Sequence, residues 1–103
     1  LLDRAFYSSG KDFKYKPASA VCVCRRSGGS ATLDRLTKYF TINQMPVISS
    51  TYWNIVHGAE IGEVVEDLEG MQTMRYLGYN MAAYLKKEAD VKSEKRVFTN
   101  FVR

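Results

Sequence analysis

The chain has 103 residues, of which 46% are hydrophobic, 13% aromatic and 25% charged, with a formal net charge of +4. That composition excludes a disordered chain and sets the natural count at one folded domain. No apolar run reaches the length of a membrane span, no signal peptide is expected, and the small basic excess, interspersed with acids, fits a solvated mixed-charge tail better than a nucleic-acid surface.

In chain order, residues 1–9 read as the end of a helix. Leu1, Leu2, Ala5 and Phe6 fall at helical spacing, there is no initiating Met and no N-cap, and Ser8-Ser9-Gly10 closes the segment. Lys11 to Lys16 is a polar, basic link, and Pro17 breaks any continuation. Residues 18–24 predict a strand. Val21 and Val23 alternate with Cys22 and Cys24, so both faces are apolar, as in a parallel sheet buried on both sides. The next helix is predicted over 30–43, with Ser30 or Thr32 as cap and Leu33, Leu36, Tyr39 and Phe40 as its apolar stripe. Residues 45–48 predict a second short strand, with Pro46 near its start.

Residues 49–66 read as one long loop containing TYWNIVHG, too aromatic for a passive linker. The strongest helical pattern spans 67–88, where Leu68, Met71, Met74, Gly78, Met81, Ala82 and Leu85 recur every three or four residues. Asp67 and Glu69 read as first-turn acids and Lys86 and Lys87 as last-turn bases, each favoured by the helix dipole. The tail, 89–103, is ambiguous: Val97, Phe98, Phe101 and Val102 suit a short packed element or a partner-bound segment.

Cys22 and Cys24 would sit side by side on one strand face as small hydrophobes. With His57 the one histidine of the chain, no metal site is expected, and two cysteines without a disulfide framework fit a reducing compartment.

Alternating strands and helices imply parallel crossover connections. In such sheets ligands bind beyond the carboxyl ends of the strands, where this chain places Arg25-Arg26-Ser27-Gly28-Gly29. Glycines let a backbone approach a ligand and expose N–H groups at a helix N-terminus. Arginines add fixed charge and a planar stacking surface. The combination suits an anionic or electron-rich planar ligand, although a solvated turn explains the pattern as well. It is neither a Walker loop nor G-x-G-x-x-G. The aromatic loop follows the next strand, so Tyr52 and Trp53 would flank a ring while Asn54 and His57 bond its polar atoms. No nucleophile has a credible His and carboxylate set, so no catalytic residue is assigned.

LLDRAFY, KPASAVCVCRRSGGSATLDRL, KYFTINQMPVISSTYWNIVHG and EDLEGMQTMRYLGYNMAAYLKK together resemble the C-terminal half of the NAD(P)H-dependent FMN reductase family, flavodoxin-like proteins related to iron–sulfur flavoproteins and multimeric quinone-reducing flavodoxins. The resemblance covers about residues 1–88. It implies the C-terminal part of a flavodoxin-like three-layer α/β/α fold, strand order 2-1-3-4-5, and transfer of hydride or electrons from NAD(P)H through FMN to a flavin, quinone or similar acceptor. It would place Cys24, Arg25, Arg26, Ser27, Gly28 and Gly29 beside the flavin ring, with Tyr52, Trp53, Asn54 and His57 lining the wall or a neighbouring subunit's site. The family's first three strands and phosphate-cradling loop have no counterpart here. The chain alone is therefore expected to be inactive and to bind FMN weakly or not at all. Its strand 18–24, left with an open edge, is expected to join copies into a homo-oligomer. A cytoplasmic setting, flavin and nicotinamide partners, and no nucleic acid or membrane complete the expectation. The alternatives are a non-catalytic electron carrier and an α/β interaction protein without cofactor.

Overall fold

The computed structural model describes residues 1–87 and 94–99. Helix α1 (Leu2–Phe13) leads to strand β1 (Cys22–Cys24), helix α2 (Gly29–Ile42), strand β2 (Ile55–His57), a 3-10 turn at Glu63–Glu66, and helix α3 (Leu68–Lys86). β1 and β2 are parallel, with Cys22 opposite Ile55, Val23 opposite Val56 and Cys24 opposite His57.

The second half of this pairing corrects the sequence reading. Residues 45–48 are not the paired strand: they touch the first strand only at a bridge between Ala18 and Val47. There Ala18 N–H donates to the Pro46 carbonyl at 2.9 Å and Ile48 N–H donates to that of Ala18 at 2.9 Å. The ladder proper lies further on, inside the segment expected as one loop over 49–66, which contains both β2 and the 3-10 turn. The chain thus pairs, leaves at 49–54, and returns to the same neighbour. Asn54 spans the gap: its side-chain amide donates to Ser19 Oγ at 2.9 Å and to the Ala20 carbonyl at 3.0 Å.

Ser8-Ser9-Gly10 does not end α1 either. The helix kinks at Ser9 and continues to Phe13, through part of the expected link. The cause is tertiary: Phe13 stacks on Phe6 at 4.8 Å, and Phe6 packs against Tyr39 and Phe40 of α2. Aromatic burial against a neighbouring helix outweighs a weak local stop signal.

Side chains on a strand alternate between faces. Ile55 presses on Gly29 at the start of α2, so Cys22 and Ile55 share the α2 face. Val56 points the opposite way, where α3 packs on β2, and is 3% exposed. Helices on both sides of a parallel pair make the three-layer arrangement of a partial flavodoxin-like fold. The expectation of a strand buried on both faces holds only in part. Val21 and Val23 are 53% and 57% exposed, because α3 covers β2 and nothing among the described residues covers β1 on that side.

Residues 94–99 pack lengthwise on α3. The Glu94 carboxylate is gripped by Arg75, with Nη2 at 2.9 Å, and accepts from Gln72 and Tyr79. Val97 N–H donates to Gln72 Oε1, and Thr99 N–H donates to Glu69 Oε2 at 2.8 Å. The bonds from Arg75 foremost, then Gln72 and Tyr79, lower the Glu94 carboxyl to about 2. Of the tail expected over 89–103, Phe101 and Val102 lie outside the described residues.

Gly29 tests the α2–β2 contact. A Cβ there would meet Ile55 Cδ1 at 2.9 Å, Cγ2 at 3.1 Å and Cγ1 at 3.2 Å, so a β-branched side chain would have to shift as a whole. Gly29→Ala is expected to cost about 1–2 kcal/mol through overpacking, read as a lower urea midpoint. The double variant with Ile55→Val should recover part of the loss; a midpoint unchanged in the single variant would contradict this packing.

Candidate functional site

The loop after β1 and the segment after β2 leave the sheet at the same edge. The last ladder bond, Gly58 N–H to the Cys24 carbonyl at 3.1 Å, fixes the two exits side by side. Above it opens a cleft of about 490 Å³ lined by Arg25, Arg26, His57, Gly58, Ala59, Glu60 and Glu63.

One wall is the β1–α2 loop. Arg25, Arg26 and Ser27 are exposed, and neither arginine is paired with a carboxylate among the described residues. Gly28 caps α2 in the left-handed region at φ +89, a conformation that costs L side chains about 1 kcal/mol or more. Neither Ser30 nor Thr32 caps the helix with its side chain, contrary to the sequence expectation. Thr32 Oγ instead donates to the Gly28 carbonyl at 2.9 Å. The first-turn amides of α2 therefore receive no capping side chain, an arrangement favourable to negative charge. The Cys24 carbonyl accepts the Gly58 N–H below the cleft, while its thiol is free and half-buried.

The other wall is held by Asp67, which is 3% exposed. Its Oδ1 accepts from Gly70 N–H at 2.9 Å, capping α3, and its Oδ2 accepts from His57 N–H at 2.9 Å, satisfying the outer edge of β2. The same Oδ2 lies 3.6 Å from His57 Nδ1, whose side chain is 42% exposed. Burial pushes the Asp67 carboxyl up. The amides of Gly70 and His57, the Thr99 hydroxyl and the charge of His57 together outweigh burial and hold it below its ordinary 3.8.

The expected site residues thus divide. Cys24, Arg25, Arg26, Ser27, Gly28, Gly29 and His57 gather at the carboxyl edge. Tyr52, Trp53 and Asn54 do not join them. The strand resumes after them, so they sit half a strand away on a smaller cleft of about 160 Å³ with Ser19, Asp34 and Thr37. Tyr52 and Trp53 pack on one another with tilted rings at 5.1 Å and are exposed, while Asn54 donates its amide to Ser19 Oγ and the Ala20 carbonyl. Sequence reasoning missed Glu60 and Glu63 as cleft residues and Asp67 as the anchor of His57. The D-x-x-G start of α3 signals the cap, but no local pattern signals its second bond across ten residues.

A family model described as NADPH-dependent FMN reductase matches residues 1–60. The chain belongs to that family. The match ends within the cleft at Glu60, so it takes in both strands and the whole Arg25–Gly29 loop of this FMN reductase family member. No curated protein and no solved structure gives a significant match. Among the described residues no helix is long and apolar enough to cross a membrane, and no group of three His, Cys, Asp or Glu is placed to hold a metal.

Because the Asp67 carboxyl is depressed in the fold, the unfolded chain binds more protons as pH drops below 4, and stability falls with it. Asp67→Asn is expected to cost about 1–3 kcal/mol at neutral pH, having removed an acceptor from buried amides. Measured by urea unfolding, the gap between wild type and variant should be flat above about pH 5 and shrink as pH falls through 3.8 and below. A gap independent of pH would show that the charge of Asp67 contributes nothing.

Proposed function

We propose that the cleft at the carboxyl edge of β1 and β2 holds the edge of an FMN ring, as part of an enzyme that passes hydride or electrons from NAD(P)H through flavin to a flavin, quinone or similar acceptor. The observation that carries this reading is convergence. Two arginines, unpaired with a carboxylate among the described residues, line one cleft with the end of β2, and the helix start that follows them receives no capping side chain, in a chain of the FMN reductase family.

The residues present fit the ring edge. Arg25 and Arg26 supply fixed positive charge and a stacking plane. Gly28 lets the loop backbone come close, and the first-turn amides of α2 donate toward negative charge. When bound, FMN supplies the redox chemistry; the chain supplies placement and electrostatics. Glu60 and Glu63 on the facing wall oppose a phosphate there, so the phosphate end of FMN belongs outside this cleft. The cleft is thus a part-site, which supports weak FMN binding and no turnover by these 103 residues alone. The free thiols Cys22 and Cys24 suit a reducing, cytoplasmic setting.

The ladder alternation points the Val23 amide and carbonyl away from β2. With Val21 and Val23 uncovered, that edge suits a second copy of the chain. Light scattering at about 100 µM, a concentration at which a weak complex with a Kd near 10 µM is mostly formed, should give more than the monomer mass, reduced by Val21→Lys with Val23→Lys. A monomer mass for wild type would end this part of the reading.

FMN titration followed by amide NMR tests the cleft. Shifts should concentrate at Arg25–Gly29 and His57–Gly58, and Arg25→Ala with Arg26→Ala should weaken binding about tenfold or more, the effect of losing a charge-assisted contact. Shifts confined to Tyr52 and Trp53, or affinity unchanged in the double variant, would overturn the assignment.

A further inference from the structure

The outer face of α3 reads a short peptide, and that peptide belongs to the chain itself. Glu94 lies against Arg75, Tyr76 and Tyr79, Val97 against Gln72, and Thr99 against Glu69. The partners descend along α3 as the segment ascends, so 94–99 runs antiparallel to the helix. The lengths agree. Five steps of extended chain span about 16 Å, and the ten residues from Glu69 to Tyr79 rise about 15 Å. One end is a latch. The Glu94 carboxylate accepts from Arg75 Nε at 3.0 Å and Nη2 at 2.9 Å, from Tyr79 at 2.9 Å and from Gln72 at 3.1 Å, while its carbonyl accepts from the Tyr76 hydroxyl at 2.7 Å. The other end meets the wall of the cleft. The Thr99 hydroxyl accepts from the Glu69 amide and donates to the buried carboxylate of Asp67, whose Oδ2 holds the His57 amide at 2.9 Å.

We propose that 94–99 is a strap that sets the outer wall of the cleft: Glu94 latches it to α3, and Thr99 carries the latch to Asp67 and so to the end of β2. The strap docks almost wholly by polar contacts. Lys95 and Arg96 face solvent, and Phe98, beneath the Arg96 guanidinium, is 70% exposed. An element with little buried apolar surface opens at lower free energy than the core it lies on, so 94–99 can leave α3 without unfolding it. Docked, the Thr99 hydroxyl restrains the carboxylate in the one orientation that meets Gly70 and His57 together. Undocked, the buried carboxylate loses a donor, and the His57 amide at the lip of the cleft opens more often. The coupling lies in the chain itself and needs no ligand. On the flavin reading above it is also reciprocal: FMN in the cleft tightens the strap by the factor by which the strap tightens FMN.

Amide hydrogen exchange of the 103-residue chain without ligand, read by NMR, tests the strap. Glu94→Ala, and separately Arg75→Ala about two turns along α3 from Asp67, should speed exchange at Val97 and Thr99 about tenfold or more, the weight of a charge-assisted bond. Both should also speed His57 about fivefold, the weight of one ordinary hydrogen bond. Thr99→Val should leave Val97 protected yet speed His57 alike, and Thr99→Ser, which keeps the hydroxyl, should restore it. Exchange at Val56, 3% exposed in the core, should stay the same in every variant. An equal rise at Val56 would overturn the inference, because the strap would then stabilise the whole fold and not the wall. A freed strap with His57 exchange unchanged would overturn it too, whatever FMN does. FMN that perturbs neither Arg25 nor Gly28, with the strap's effect on His57 intact, would instead end the flavin reading and leave the strap in place.

Discussion

One buried carboxylate fixes the geometry of the site. A parallel pair needs its outer edge satisfied, a helix needs its N-terminus capped, and both needs meet at Asp67. By taking the His57 amide with one oxygen and the Gly70 amide with the other, it sets where α3 starts relative to where β2 ends. Thr99, at the far end of the 94–99 segment, adds its hydroxyl to the same carboxylate. The C-terminal segment is thereby tied to the wall of the cleft by the group that orients His57. Removing the charge would loosen an edge, a cap and a ring together. That is why its effect on stability and its effect on the site need separate measurements.

The excursion at 49–54 is the second constraint. A strand that leaves its neighbour must satisfy the groups it abandons. Asn54 does so with a side-chain amide where the backbone cannot reach Ser19 and Ala20. The consequence is positional. Because pairing resumes after Asn54, the aromatic pair Tyr52 and Trp53 is placed on the flank of the sheet, and the carboxyl edge falls at His57–Gly58.

Much of this was legible in the sequence. The two later helices lie within about two residues of the periodic stripes that announce them, and the Arg25–Gly29 junction was recognisable as a strand-to-helix turn at the carboxyl edge of the sheet. What was not legible depends on contacts distant in sequence. MPVI, residues 45–48, reads as a strand because it is a short apolar run, but pairing is decided by register, and the three-residue IVH run won it. Ser8-Ser9-Gly10 reads as a stop, but Phe13 packs on Phe6, which meets Tyr39 and Phe40 of α2. His57 reads as a ligand-bonding group of the aromatic loop, and its carboxylate went unseen because it lies ten positions away at the start of α3. Local chemistry predicted elements; which element satisfies which orphan group is a property of the assembled fold.

The charges of the cleft also say what kind of group belongs in it. Two arginines face two glutamates across about 490 Å³, so the net field is small and its gradient is steep. A phosphate dianion near the centre would gain from one wall and lose to the other. A flat, neutral ring loses nothing on entering, and gains when negative charge develops on the edge nearest Arg25, Arg26 and the α2 amides. Such a site distinguishes oxidised from reduced more strongly than bound from free. That is the property a redox cleft needs, since an interaction stronger in the reduced state shifts the electron-transfer equilibrium, whereas one equal in both states only tightens binding. On the proposed flavin reading, Glu60 and Glu63 would take part in the function by disfavouring the anionic end of the ligand and leaving the arginines to its ring.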